Sequence, residues 1–288
     1  MKQPVIIIGM HYGGSSLVSE ILHQAGIFMG NDRNKKFHSR HFHNINSWIF
    51  SQVSATWDNP HNFRFINEAF NDRVSKALKR QLKGRSLKSY LDPPRLRYRK
   101  YDRFDFEWGW SDPLNTFTIS MWKHLFDDAH IIHVHRNPAD VAAALQNQNK
   151  HFRHATESGI LSRLQRRNLE RKLSHEKVYE LSLRTNTLDQ GYEVWKEYTN
   201  EALQAEQKTG FHVYHLGYED LLQNFHYETE RLFNHLGFRI PDGALKKIEE
   251  KIRDYKAYQF LKSDELTEFY QVIKNQSMVT EMNYHEIR

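Results

Sequence analysis

Apolar positions along the chain switch between two spacings. Val5 to Ile8 is an unbroken β-branched run closed by Gly9, the pattern of a strand covered on both faces. From Ser15 onward Leu17, Val18, Ile21, Leu22 and Ala25 recur at helical spacing and stop at Gly26, so the order strand, glycine loop, helix is predicted. A second helical face, Phe42, Ile45, Ile49 and Val53, predicts a helix over about 39–53, and a third over about 65–82. Phe106 to Trp110 reads as a strand ending at Ser111-Asp112-Pro113, Asn115 to Phe126 as a helix and His130 to His135 as a strand, and Pro138 to Leu145 opens another helix. The segment from about Gly159 to Gln207 is long, charged and largely helical, with Arg166-Arg167 and Arg171-Lys172 on its exposed side. Phe211 to Leu216 alternates as a strand, and the tail beyond Asp220 reads as helices. Strands alternating with helices predict an α/β fold with a P-loop-like central parallel sheet wound by helices. A mainly helical insertion at about 150–209 and a helical C-terminal region complete one domain over 1–288.

Composition narrows the chemistry. The 288 residues carry 41 Lys+Arg against 35 Asp+Glu, a net charge of +6, and no cysteine. Thiol nucleophiles, disulfides and Cys-ligated metals are therefore excluded. The 18 histidines are scattered and form no HExxH pair, so no metal is expected. Mean hydropathy is −0.77, no stretch approaches the roughly 20 apolar residues of a membrane span, and the first apolar run is too short for a signal-peptide core. These features predict a cytoplasmic protein. The basic stretch from Lys79 to Arg103 reads as a solvated helix end and loop, or as a rim that attracts an anion. With no recognised nucleic-acid module beside it, nucleic acid is not the expected partner.

Gly9-Met10-His11-Tyr12-Gly13-Gly14-Ser15-Ser16 has the GxxxxG spacing of a phosphate-binding loop. Glycines there let backbone N–H groups turn around an anion, and the following helix adds its N-terminal partial charge; the alternative is a turn that only packs the helix close to the sheet. Ser15 stands where nucleotide triphosphatases need a lysine, which argues against a kinase or ATPase. In His133-Val134-His135-Arg136-Asn137-Pro138, Arg136 follows a strand, with Asn137 as candidate cap and Pro138 at the first helical position. A guanidinium at the carboxyl edge of a parallel sheet suits a second anion; an ion pair with a carboxylate such as Asp140 is the alternative. Two anion sites on one edge suit a nucleotide phosphorylated at both ends.

Together with Trp108-Gly109-Trp110-Ser111-Asp112-Pro113, the HisArgAsnProAlaAspValAlaAlaAlaLeu segment and the late Leu216-Gly217-Tyr218-Glu219-Asp220-Leu221-Leu222, this order of pieces resembles the sulfotransferases that use 3′-phosphoadenosine-5′-phosphosulfate (PAPS). The resemblance runs from Pro4 to about Gly237. It implies that Tyr12, Gly13, Gly14, Ser15, Ser16 and Leu17 surround the 5′-phosphosulfate, that Arg136 holds the 3′-phosphate and that Tyr218 lies near the adenine. The implied reaction is sulfuryl transfer, without a metal, to a hydroxyl or amine of an acceptor such as a glycan or other hydroxylated metabolite, leaving 3′-phosphoadenosine-5′-phosphate (PAP). Three positions depart from the family pattern: Tyr12 replaces a cation, Ser111 a lysine and Ala144 a serine. His11, Lys35, Lys36 and Lys123 are candidate replacements for the lost charge, and a non-catalytic nucleotide-binding relative is the alternative reading. A glycine-rich loop with a preceding histidine resembles a bacterial branch of these enzymes.

A hydroxyl acceptor needs a general base. His38 is the first candidate, with His11 and His41 as alternatives, since histidine titrates near neutrality. Of the six tryptophans, Trp57, in Trp57-Asp58-Asn59-Pro60, is the one in loop chemistry suited to a cleft wall; the others read as core.

Overall fold

Val5–Gly9 forms the strand β1, buried along its whole length. Its β-branched side chains alternate between two apolar layers, Val5 and Ile7 into one and Ile6 and Ile8 into the other. That arrangement is possible only for a strand with both faces covered. The structure, a computed structural model, describes residues 2–157, 182–252 and 257–287. The Arg166-Arg167 and Arg171-Lys172 pairs lie outside these.

After β1 come α1 (Ser15–Gln24), α2 (Arg40–Gln52), α3 (Glu68–Gln81), α4 (Gly84–Lys88), β2 (Gly109–Ser111), α5 (Asn115–Lys123), β3 (His130–His135) and α6 (Pro138–Glu157). They are followed by α7 (Leu188–Leu203), α8 (Ala205–Thr209), β4 (Val213–Gly217), α9 (Tyr218–Gln223), α10 (Phe225–His235), α11 (Lys246–Ile252), α12 (Asp264–Ile273) and α13 (Ser277–Glu281). The sheet has the order β2-β1-β3-β4 with every pair parallel. The α/β fold with a central parallel sheet is as predicted. Chain order reverses beside β1, and the carboxyl ends of β1 and β3 meet there, with Gly9 opposite Val134. Among the described residues no helix is long and apolar enough to cross a membrane.

The chain divides into two compact units. The first comprises Met1–Ala55, Pro60–Asn137 and Glu197–Tyr258 and holds the whole sheet. The second comprises Thr56–Asn59, Pro138–Lys196 and Gln259–Arg288. Within the second, the Asp140 carboxylate accepts the backbone N–H groups of Gln259 (3.1 Å) and Phe260 (2.7 Å).

Four elements differ from their predicted spans: α5 ends at Lys123 instead of Phe126, β4 runs Val213–Gly217 instead of starting at Phe211, and the third helix and β2 start later. The third helix starts at Glu68, because the Asn67 side chain accepts the Phe70 N–H at 3.0 Å and caps it there. β2 is shorter than expected, and the residue just before it bridges to Phe28. The Phe28 N–H donates to Glu107 O, and Phe28 O accepts from the Gly109 N–H. Trp57 is a buried residue rather than a cleft wall, and Trp108, Trp110, Trp122 and Trp195 are fully enclosed. Trp48 is the exposed one, at 39%.

One buried amide ties the first unit together. Asn46 of α2 donates to Asp112 and to Asn115 Oδ1, each at 2.7 Å, and its own oxygen accepts from Thr118 (2.9 Å) and the Trp122 indole (3.1 Å). Asn115 in turn donates to Ile7 O of β1 and accepts from the Trp110 indole, both at 2.9 Å. Each unsatisfied buried partner costs ~1–3 kcal/mol. Asn46→Ala is therefore expected to lower the unfolding free energy by about 3 kcal/mol or more in urea melts.

Candidate functional site

The glycine loop is built by close approach. Gly9 has φ 135°, and a Cβ there would collide with the Val134 carbonyl of β3. Thr116 of α5 fixes the same residue, accepting its N–H at 2.9 Å and donating to its carbonyl at 3.2 Å. The chain then turns tightly, with the Gly13 N–H on Met10 O at 3.0 Å, and Tyr12 adopts φ 64°. Gly14, at φ 98°, lies against the Tyr218 ring, so a side chain at that position would collide with it. α1 starts at Ser15 with no side-chain cap and no acidic residue in its first turn. Its leading N–H groups and positive dipole end suit an anion.

A second turn docks along α1. Asn34 Oδ1 accepts the N–H groups of Lys36 (2.8 Å) and His38 (3.1 Å), and Asn34 N–H donates to His38 O at 2.9 Å. Ser19 of α1 donates to Phe37 O at 3.0 Å, while Ser15 Oγ and His38 Nε2 lie 3.4 Å apart. The turn therefore presents His38 to the head of α1 and sets the Lys36 ammonium 4.9 Å over the Tyr12 ring.

Behind His38 lies an ion pair. His43 Nδ1 is 3.2 Å from the buried Asp112 carboxylate, which holds the His43 pKa above its ordinary value. Burial pushes the Asp112 carboxyl up, but His43, Asn46 and His38 outweigh it and the pKa lies below the usual value. Burial drives His38 down to about 4, with Asp112 opposing and His43 and Lys36 adding to the effect. His11 falls to about 3 through burial and the neighbouring His38. Burial therefore favours the neutral form of both, and the His38 pKa lies below the near-neutral range expected from its residue type.

Arg136 follows β3. Its Nε is 4.0 Å from Glu219, and its guanidinium lies 4.9 Å over the Tyr218 ring. Glu219 also accepts the Asn137 N–H at 3.0 Å. Tyr218 thus touches Gly14 and carries Arg136, bringing the two predicted anion sites to one ring. Among the loop residues, Ser15 meets His38, Ser16 is half-exposed, and Leu17 is buried in the core beneath. His41 stands apart. Its Nδ1 is 3.4 Å from Ser89 Oγ, and the ring lines a cavity of about 640 Å³ with Ile45, Trp48, Leu78 and Arg80. Lys123 donates to Asp127 O at 2.6 Å. Ala144 belongs to α6 in the second unit.

Asp112, His43 and Thr116 were not singled out from sequence. Asp112 ends a strand on the same sheet edge as Arg136, and that placement is the signal that marks it.

The histidines make stability pH-dependent. Unfolded they titrate near 6.5; folded, His38 and His41 resist protonation to about 4 and His11 to about 3. The unfolded chain then binds protons first, so stability present above pH 6.5 is lost as the pH falls toward 4, by up to ~1.4 kcal/mol per pH unit for each such histidine. His43 opposes this, adding stability that is lost as pH rises through its raised pKa. Urea melts are expected to show stability falling from pH 7 to pH 5, with a shallower slope in His41→Leu.

The pattern common to the Sulfotransferase family matches residues 4–242. No curated protein matches. Among solved structures, the sulfotransferase domain from the Synechococcus PCC 7002 olefin synthase aligns at 14% identity and TM-score 0.45, over 100% of this chain and 98% of that one. The sulfotransferase domain from the curacin biosynthetic pathway aligns at 12% and 0.48, over 100% and 99%. A sulfotransferase from Mycobacterium tuberculosis H37Rv aligns at 12% and 0.43, over 89% and 72%. The family match takes in the glycine loop, Arg136 and Tyr218, and on its extent the chain belongs to the sulfotransferase family.

Proposed function

We propose that the chain is a bacterial, cytoplasmic sulfotransferase that takes its sulfuryl group from PAPS and passes it to a hydroxyl or amine of an acceptor such as a glycan or other hydroxylated metabolite. The observation that carries this reading is the Tyr218 ring, in contact with Gly14 on the loop and stacked with Arg136. It brings an uncapped helix start and a guanidinium together, which suits a ribose phosphorylated at its 3′ and 5′ positions.

The residues fit that donor. The N–H groups at the head of α1, with the Ser15 and Ser16 hydroxyls, bind the 5′ end; Arg136 binds the 3′-phosphate, held by Glu219; and Tyr218 offers a face to the adenine. When bound, the donor supplies a sulfur–oxygen bond that breaks toward its 5′-phosphate as the acceptor oxygen or nitrogen bonds to sulfur. Neutral His38 accepts the acceptor's proton at Nε2, and the ionised Asp112 favours the imidazolium that results, against the opposing charge of His43. Binding is by protein amides and cations, and no metal is assigned a step.

Calorimetric titration with PAP, run beside adenosine 5′-phosphate, tests the donor site. Arg136→Ala is expected to weaken PAP by ~10- to 100-fold, as for loss of a charged hydrogen-bond partner, and to leave adenosine 5′-phosphate unchanged. A folded protein that does not bind PAP overturns the proposal. His38→Ala is expected to bind PAP normally and to slow sulfuryl transfer by ~10²- to 10⁴-fold; unchanged turnover places the base elsewhere.

A further inference from the structure

We infer that Lys36 supplies, from outside the glycine loop, the positive charge on the donor's 5′-phosphate that the loop itself lacks. The inference rests on the donor reading above and adds a residue to it.

Sulfuryl transfer leaves an electron pair on the oxygen that linked sulfur to phosphorus, and a preorganised cation stabilises charge developing there. From Gly9 to Leu17 the chain contains no Lys or Arg, and His11, the one titratable cation in that stretch, is held neutral with a pKa near 3. Ser111, at the end of β2, is buried and its hydroxyl has no hydrogen-bond partner among the described residues. Arg136 is engaged beside Glu219 and Tyr218. Positive charge at the loop has to come from a neighbouring segment.

The Asn34–His38 turn is such a segment. Its backbone is fixed twice by Asn34 and once by Ser19, so it follows α1 rather than swinging from a long loop. Lys36 sits at its crest, solvent-exposed, with Nζ 4.9 Å from the centre of the Tyr12 ring. The ring belongs to a Tyr12 whose backbone is left-handed, φ 64°, inside the loop. A cation over an aromatic face is attracted by the ring quadrupole yet keeps its N–H donors available. The same ammonium acts electrostatically on both His11 and His38, which places it among the groups around the loop. Tyr12 therefore does not merely replace a cation: it docks one carried by another segment. Lys35, adjacent and exposed, has no such ring beneath it among the described contacts.

The test compares PAP with adenosine 3′-monophosphate, which lacks the 5′-phosphate, by calorimetry on the full chain. Lys36→Met is expected to raise the PAP Kd about tenfold, one charged contact's worth, and to leave adenosine 3′-monophosphate unchanged. Lys35→Met should alter neither, and Tyr12→Arg in the Lys36→Met background should restore PAP binding by putting the charge on the loop. Release of PAP from PAPS in single-turnover reactions at saturating donor should slow at least tenfold in Lys36→Met. If wild type binds both nucleotides equally, the donor reading fails and this inference with it. If wild type prefers PAP and Lys36→Met keeps that preference, or Lys35→Met loses it equally, the Lys36 inference alone is overturned.

Discussion

Everything at the sheet edge hangs on one asparagine. Asn46 uses both amide hydrogens and its carbonyl oxygen on four buried partners, so α2 has a single register against β2 and α5. A buried amide is a demanding core residue, because any slide of α2 by one position strands donors and acceptors away from water. Through Asn115 the same network reaches the Ile7 carbonyl of β1, two residues before the loop begins. The positions of His43, Asp112 and the preceding His38 turn thus follow from core packing, which gives far greater rigidity than a surface loop could provide.

That rigidity has an electrostatic counterpart. The inner shell around the loop is kept uncharged by burial at His11 and His38, while compensated charge lies beside it, in the buried Asp112 and the half-exposed His43. Cationic groups stand at the periphery: Arg136 behind the tyrosine ring and Lys36 at the mouth. An anion seated at the head of α1 meets backbone dipoles, and those cost no reorganisation.

The fold was legible because the strands here are continuous apolar runs and the helices amphipathic, two periods that are hard to confuse. β2 was the least legible strand: it pairs with β1 over three residues only and is flanked by a bridge to Phe28, more than 70 residues earlier in the chain, and no local pattern records either. At the site, Gly14 and Arg136 could be marked by residue type and position. Tyr12 and Tyr218 were placed at the site by resemblance, but their contacts with Lys36 and with Gly14 and Arg136 were not visible in the sequence, since they depend on which segment lies against each ring. His38 and His41 look equivalent in sequence, three residues apart on a helix start. Ser39 separates them: its side chain accepts the Phe42 N–H and donates to Asp32, so α2 begins between the two histidines. One is left on the turn facing Ser15 while the other is carried round to the far face of α2.

Ser15 and Ser19 are one helical turn apart, and they contact His38 and the Phe37 carbonyl respectively. The two attachments of the His38 turn are therefore spaced along a single helix, about 6 Å of rise at 1.5 Å per residue. A helix is a stiff ruler. Any small shift of α1 carries the His38 turn with it, so the separation of that imidazole from the helix N-terminus is conserved.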